Sequence, residues 1–514
     1  MYKISRAIFL ILILSLFAVV GVYSQDNKKP EGKEGKKPAR TEVKENLKET
    51  THEIVINGKK IEYKAIAGTM PLKIDTKDAT AEIFFIAYFR TDAGDLAGRP
   101  ITFSFNGGPG SSSVWLHMGL LGPRRVLMTP EGDALPPPYE LIDNEYSLID
   151  KTDLVFIDPV STGFSRAVEG EDPKQFHGVD EDISSVGEFI RLCLTRYERW
   201  SSPKFLIGES YGTLRAAGLS DYLQGRHGMY LNGIMLVSSI LQFQTARFSA
   251  GNDLPYILFL PTYTATAWYH KQLDGELQAD LKATLQQVEE FALGEYATAL
   301  LKGDNLPDEK CNEIVAKLAR FTGLSEEYVR QTNMRIMIYR FVKELLRDEH
   351  RTVGRLDSRF KGIDSDAAGE GVDYDPSYDA VILGPYSTTF NDYVRRELKF
   401  ESELSYEILT GRVRPWSYKR YQNRYVNTAE RLRSAMTKNP YLKVFVANGY
   451  YDLATPYFAT QYTFNHLGLD KSLRDNVTMG FYEAGHMMYI REASLAKLRG
   501  DLIEFLEIAA NRGE

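Results

Sequence analysis

The sequence predicts an α/β protein: a mostly parallel central sheet with helices on both faces, interrupted by a large, mainly helical insertion. Three observations predict it. Between Ile101 and Val237, short apolar runs alternate with helical patterns, as in a parallel sheet wrapped on both sides. From about Gln242 to Lys438, long helical periodicity replaces that alternation. Strand patterns then return at 442–447 and 477–482, before a closing amphipathic helix over 494–510.

Composition sets the outer limits. The 514 residues are 43% hydrophobic and 25% charged, enough apolar mass for a buried core and incompatible with global disorder. A net charge of −7 without a long basic run disfavours nucleic acid as a partner. Cys193 and Cys311 are the only cysteines. They exclude a zinc ribbon, a thioredoxin-type pair and a disulfide framework, and leave open one disulfide or two separate thiols.

The elements follow in chain order. Lys3 and Arg6 precede an apolar run from Ala7 to Val22, and Val22-Tyr23-Ser24 offers small residues before Gln25. This is the layout of a secretory signal peptide over 1–24, cleaved after Ser24. An uncleaved anchor is the alternative, but the run is shorter than the roughly 20 residues of a spanning helix. Residues 25–50 are rich in Lys, Glu, Pro and Gly, too polar to repay ordering, and read as a flexible tether. Asn57-Gly58 between alternating runs predicts a hairpin. Strands are expected at 81–90, 101–105, 154–157, 204–207 and 233–237, with helices over 181–197 and 211–223. Residues 51–241 thus form the first part of the α/β core. The insertion, 242–438, carries helical patterns over 276–301, 307–321 and 325–346, and 439–514 completes the core.

Gly208-Glu209-Ser210-Tyr211-Gly212 is a G-x-S-x-G pattern placed between an apolar strand and a helix. That context makes Ser210 the candidate nucleophile: a tight strand-to-helix turn lifts its hydroxyl above the sheet edge. A free serine hydroxyl is weak and needs a base, and the base needs an orienting carboxylate. His486 follows the last strand pattern and Asp452 the one before it, both at strand ends where an α/β sheet places its site. The chain order Ser210, Asp452, His486 is that of α/β hydrolases. The loop Asn106-Gly107-Gly108-Pro109-Gly110-Ser111-Ser112-Ser113 follows a strand and can aim backbone N–H groups into a cavity, as a tetrahedral intermediate requires. Gly108 and Tyr211 are the natural donor pair.

These motifs, together with Asp158-Pro159-Val160-Ser161-Thr162-Gly163-Phe164-Ser165, Asn448-Gly449-Tyr450-Tyr451-Asp452 and Ala484-Gly485-His486-Met487, resemble the serine carboxypeptidase family, in family order from about Ile101 to Met488. The resemblance implies an α/β-hydrolase fold with the insertion as a cap. It implies an exopeptidase that releases C-terminal residues, usually best in acid, through an acyl-enzyme. It makes Ser210 the nucleophile, His486 the base and then acid, and Asp452 its orienter, with Gly108 and Tyr211 as the oxyanion hole. Asn106, Gly107 and Glu209 match the positions that hold the substrate's C-terminal carboxylate. Glu209 donates only when protonated, so carboxylate binding should favour low pH.

The sequence also departs from the family. Leu120 stands before Leu121-Gly122-Pro123 where the family has a second glutamate, and Ser111 stands where it has a cysteine. The absent cysteines point to a bacterial branch, secreted or periplasmic. The absent glutamate keeps an esterase or acyltransferase with the same triad as the alternative to a carboxypeptidase. A non-catalytic binding protein is a third reading, opposed by the intact triad. No cofactor or metal is expected; the partner is a peptide or small acyl substrate, with no membrane contact after signal cleavage. The calcium-like start Asp364-Ser365-Asp366 is read as a solvated loop because the fifth ligand position lacks a donor. Trp268, Tyr269, Trp416 and Tyr418 are read as cap packing rather than as a cleft lining.

Overall fold

The computed structural model describes residues 45–73 and 78–511. The expected signal peptide over 1–24 and the expected tether as far as residue 44 lie outside the described residues. Among the described residues, the path of the central sheet comprises β1 (Asn46–Ile56), β2 (Lys59–Leu72), β3 (Ala81–Arg90), β4 (Ile101–Phe105), β5 (Asp153–Ile157), β6 (Lys204–Ser210), β7 (Gly233–Ser239), β8 (Lys443–Gly449) and β9 (Val477–Tyr482). Their spatial order is β1-β2-β3-β5-β4-β6-β7-β8-β9. From β5 to β9 all neighbours pair parallel, whereas β1, β2 and β3 form an antiparallel edge. Strand β1 starts at Asn46, inside the segment expected to be a tether. Its polar face looks outward, which hid the strand pattern, while pairing from Asn46 with Thr69 through Ile56 with Lys59 supplies the order. Asn57 (φ 50°) and Gly58 (φ 72°) close this hairpin with two left-handed residues, as the sequence predicts.

Alternating side chains divide the core in two. Phe84, Ile86, Leu154, Phe156, Phe205 and Met235 point to one face, covered by α9 (Leu383–Arg396) and α12 (Glu492–Ala510). Ile83, Phe85, Phe103, Val155, Leu206 and Leu236 point to the other, covered by α1 (Val179–Arg196), α2 (Tyr211–His227) and α10 (Ala429–Lys438). Strands buried on both faces read as unbroken apolar runs, which is why β4 to β8 were legible.

A third apolar cluster sits in the insertion. It gathers α3 (Leu254–Tyr269), α4 (Leu281–Phe291), α5 (Ala297–Lys302), α6 (Asp308–Thr322), α7 (Glu326–Gln331) and α8 (Ile338–Glu344), with Tyr451, Leu453 and Tyr457 from beyond β8. Three details differ from the sequence reading. Helix α3 is apolar nearly all round and contains Pro261, so it has no periodic face to detect. The helix expected over 325–346 is two short helices, because Asn333 (φ 51°) and Met334 (φ 61°) reverse the chain between them. Finally, α9 and α10 lie within the expected insertion but pack on the layers that cover the sheet, α9 through Tyr386, Phe390 and Val394 on one face and α10 through Leu432, Ala435 and Met436 on the other, as core helices do. Helix α11 (Tyr457–Asn465) follows the Asp452 turn. Cys193 is buried, Cys311 half-buried, and both are free thiols.

The end of the sheet opposite the strand C-termini is locked by one buried carboxylate. Asp153 Oδ1 accepts from Arg99 Nε at 2.7 Å and from the Arg90 N–H at 3.0 Å, and Oδ2 accepts from Arg199 Nη1. Asp153, Arg99 and Arg199 are all buried. Asp153→Ala strands two buried guanidinium groups and is expected to cost about 3–5 kcal/mol of stability. Urea unfolding followed by circular dichroism checks this; an unchanged midpoint would refute the lock.

Candidate active site

Ser210 ends β6 and immediately precedes α2, with φ 58° and ψ −127°. A non-glycine residue in that region is strained, and strain at a strand-to-helix turn marks a nucleophile elbow. The turn closes so tightly that a Cβ on Gly208 would land on the Gly212 carbonyl. Gly107 is pressed in the same way against the Tyr211 N–H, which brings the 106–113 loop up to the start of α2.

His486 and Asp452 reach the same place from the ends of β9 and β8. His486 Nδ1 lies 2.8 Å from Asp452 Oδ2. Asp452 is held in turn: Oδ1 accepts the Ala454 and Thr455 N–H groups at 2.8 and 3.0 Å, and Oδ2 accepts the Thr455 hydroxyl at 2.7 Å. Burial by itself would depress the proton affinity of His486. The charge of Asp452 and its hydrogen bond, with the charge of Glu209, outweigh burial and raise it above the usual imidazole range. The insertion and β7 fix the backbone around this ring. The His486 N–H donates to the Leu356 carbonyl at 2.7 Å, the Gly485 N–H to Asp357 Oδ2 at 2.9 Å, and Ser238 Oγ to the His486 carbonyl at 2.6 Å.

Ser210, His486, Glu209, Asn106, Gly107 and Gly108 line one cleft of about 590 Å³. Tyr211 is buried beside it, and Asp452 sits behind His486. Much of the opposite wall comes from residues 339–414 of the insertion. The expected site residues are thus brought together. The Gly108 N–H has no hydrogen-bond partner among the described residues, and Gly108 lines the cleft.

Glu209 is buried, and burial is the main reason its carboxyl is pushed up to about 7, with His486 and the Tyr489 hydroxyl pulling it partly back. Tyr489 donates to Glu209 Oε2 at 2.6 Å. Asn106 Oδ1 accepts the Leu116 N–H at 3.1 Å. The Asn106 amide also lowers the Glu209 carboxyl slightly, yet its buried Nδ2 makes no hydrogen bond of good geometry among the described residues. A buried donor without a partner costs free energy unless a ligand supplies an acceptor. Asn106 is positioned from below: its carbonyl accepts from Arg215 Nη1 at 2.6 Å, and Arg215 pairs with buried Asp182 at 2.7 Å. Asp158 ties the same loop down, accepting the Ser113 N–H and hydroxyl at 2.8 and 2.9 Å.

Leu120 is fully buried in the apolar cluster on one sheet face. Next to it, the Tyr386 and Tyr489 side chains pack over Gly119. Where the family resemblance leads one to expect a second acid near Glu209, the phenol of Tyr489 meets the carboxyl instead. Sequence reasoning missed Tyr489, Thr455, Asp357, Ser238 and the Arg215–Asp182 pair. Thr455 lies three residues after Asp452 and is recognisable as a turn residue that caps a carboxylate. The others act across long sequence separations and carried no local signal.

The remaining sequence candidates are structural. Asp364 is not on a solvated loop as expected but buried, in an ion pair with buried Lys343 at 2.7 Å, because Lys343 supplies the charge that lets the carboxylate leave water. Trp268 donates to the Gln278 carbonyl, Tyr269 packs edge-on against Tyr451, Trp416 donates to the Tyr211 hydroxyl at 3.1 Å, and Tyr418 packs edge-on against Phe243. Trp115, Tyr339, Tyr374 and Tyr378 line the cleft instead. Among the described residues no helix is long and apolar enough to cross a membrane, and no cluster of side chains fits a metal ion.

Residues 58–499 match the family model described as "Serine carboxypeptidase". Pheromone-processing carboxypeptidase KEX1 of Saccharomyces cerevisiae is 33% identical over 156 residues, covering 28% of this chain and 20% of the relative. Serine carboxypeptidase-like 45 of Arabidopsis thaliana is 26% identical over 185 residues, 34% of this chain and 36% of the relative. The matched stretches thus span about a fifth and a third of those relatives' lengths. The crystal structure of KEX1(delta)p, a prohormone-processing carboxypeptidase from Saccharomyces cerevisiae, superposes with a TM-score of 0.55 at 18% identity, covering 86% of this chain and 91% of that one. The fold is that of the α/β hydrolases.

Proposed function

The chain belongs to the serine carboxypeptidase family, and on that premise we propose that it is a secreted serine exopeptidase releasing C-terminal residues from peptides. One observation carries the reading: the Ser210–His486–Asp452 array opens into a cleft that also holds a buried, readily protonated Glu209 and the unpaired amide donor of Asn106. A triad alone serves any ester or amide. A proton donor and an amide donor side by side serve a substrate that ends in a carboxylate.

In this mechanism Ser210 Oγ attacks the carbonyl carbon of the last peptide bond while His486 Nε2 takes its proton. Asp452 holds Nδ1–H and stabilises the imidazolium that forms. The N–H groups of Gly108 and Tyr211 receive the oxyanion. His486 then gives its proton to the departing amine, leaving an acyl group on Ser210. Water enters, His486 takes a proton from it, and hydrolysis frees the shortened peptide and restores the hydroxyl. Asn106 Nδ2, the Gly107 N–H and protonated Glu209 hold the C-terminal carboxylate. The basic start at Lys3 and Arg6 with the apolar run Ala7 to Val22, the layout of a signal peptide, supports secretion, and a peptide is the expected partner.

Leu120 favours one competing reading, an esterase or acyltransferase that has lost C-terminal recognition. Blocked dipeptides, their C-terminal amides and simple esters of the same acyl group separate the two. At pH 5.5–6, taken roughly as one unit or more below the carboxyl of Glu209, kcat/KM for the free acid should exceed that for the amide about tenfold or more. Equal hydrolysis of acid and amide, with esters preferred, would transfer the assignment to the esterase reading.

A further inference from the structure

The cleft contains a guanidinium group that the carboxypeptidase reading leaves unused. Arg355 lines it on the His486 side, half-buried, and among the described residues its side chain makes no hydrogen bond or ion pair. This is unusual within the molecule. The buried arginines Arg99, Arg199, Arg215 and Arg359 are each paired with a carboxylate. A partly desolvated guanidinium presents planar donors that match a carboxylate, and leaving them unpaired forgoes a charge-assisted bond.

The backbone of Arg355 is firmly placed. Its N–H donates to Asp375 Oδ1 at 3.1 Å, its carbonyl accepts the Leu453 N–H at 3.1 Å, and the next carbonyl, of Leu356, holds the His486 N–H. The residue is therefore built onto the turns that carry Asp452 and His486. Its charge is close enough to oppose protonation of His486. A second unpaired arginine, Arg414, lines the cleft from the turn whose Thr410 N–H binds the Gly110 carbonyl. Two carboxylates line the same cleft, Glu209 and Asp375, and among the described residues neither forms an ion pair with Arg355 or Arg414; Asp375 Oδ1 is taken by the Ser377 N–H and hydroxyl and by the Arg355 N–H. Tyr339, Val342 and Val353 complete this wall with apolar surface.

We propose that Arg355 is a specificity-determining residue that binds an acidic side chain adjacent to the scissile bond, so that the preferred substrates carry Glu or Asp at one of the two residues flanking it. The proposal rests on the exopeptidase reading for the role of the cleft. Its chemistry is an apolar wall for the side-chain methylenes and a guanidinium for the carboxylate.

The test uses the full chain and blocked dipeptides with Glu or Gln at either position, in wild type, Arg355→Gln and Arg355→Lys. In wild type, kcat/KM for Glu should exceed that for Gln by about tenfold at one position. Arg355→Gln should bring that ratio near one, mainly through KM, and Arg355→Lys should restore part of it. The same peptides are also scored for protecting Ser210 from a serine-directed fluorophosphonate, which reads binding without turnover. A Glu/Gln ratio near one in wild-type turnover and protection, or a ratio unchanged in Arg355→Gln, would overturn the proposal. Protection selective for Glu without turnover of any peptide would support the subsite and reject the exopeptidase reading alone.

Discussion

Replacing Ser210 with alanine is expected to lower kcat by about 10⁶-fold, because the remaining groups have no atom on which to form the acyl intermediate. A serine-directed fluorophosphonate should label Ser210 and no other residue, with the adduct located by peptide mass spectrometry. Asp452→Asn should cost about 10⁴-fold, since an amide no longer fixes the tautomer of His486 or stabilises its cation. The loss should fall in kcat with little change in KM, because neither residue contacts the parts of the substrate that provide ground-state binding. Label on a different serine, or appreciable turnover by Ser210→Ala, would remove the triad from the mechanism.

The second large effect is one of pH. The Glu209 carboxyl sits at about 7 because it is buried. Below that value it is protonated and can donate to a C-terminal carboxylate; above it, two negative charges face each other. For peptide acids, kcat/KM should therefore fall about tenfold for each pH unit above about 7, with the loss in KM. Amidated substrates need no donation from Glu209 and should not show this limb. Glu209→Gln donates at every pH, so it should flatten the alkaline limb and exceed wild type on peptide acids by about tenfold at pH 8. The Tyr489 hydroxyl stabilises the ionised form, so Tyr489→Phe should move the limb to higher pH. His486 must be neutral to act as base and is raised above the usual imidazole range, so acid and amide substrates alike should lose kcat/KM on an acidic limb where it gains its proton. The two groups interact, so the limbs belong to the pair rather than to either residue. Identical pH profiles for acid and amide in wild type would show that Glu209 does not read the C-terminus.

Features encoded by neighbouring residues were legible in the sequence. Phe205-Leu206-Ile207 running into Gly208-Glu209-Ser210-Tyr211-Gly212 already specifies strand, elbow and helix, because the steric demands of the turn fall on residues within two positions of Ser210. Asn57-Gly58 specified its hairpin for the same reason. The apolar runs of β4 to β8 announced the sheet, and the ends of β8 and of the strand pattern at β9 announced where Asp452 and His486 would lie. Groups whose partners lie far along the chain were settled by packing in three dimensions. Tyr489 meets Glu209 across 280 residues, Asp357 meets Gly485 across 128, and Arg215 meets the Asn106 carbonyl across 109. A helix buried all round, such as α3, has no amphipathic period to read, and the periodicity of α9 and α10 does not reveal that the layer they cover is the sheet. The pKa of Glu209 belongs to the same class. Its acidity is set by how completely the surrounding protein excludes water from it, a property of packing in three dimensions that a residue's neighbours in sequence do not determine.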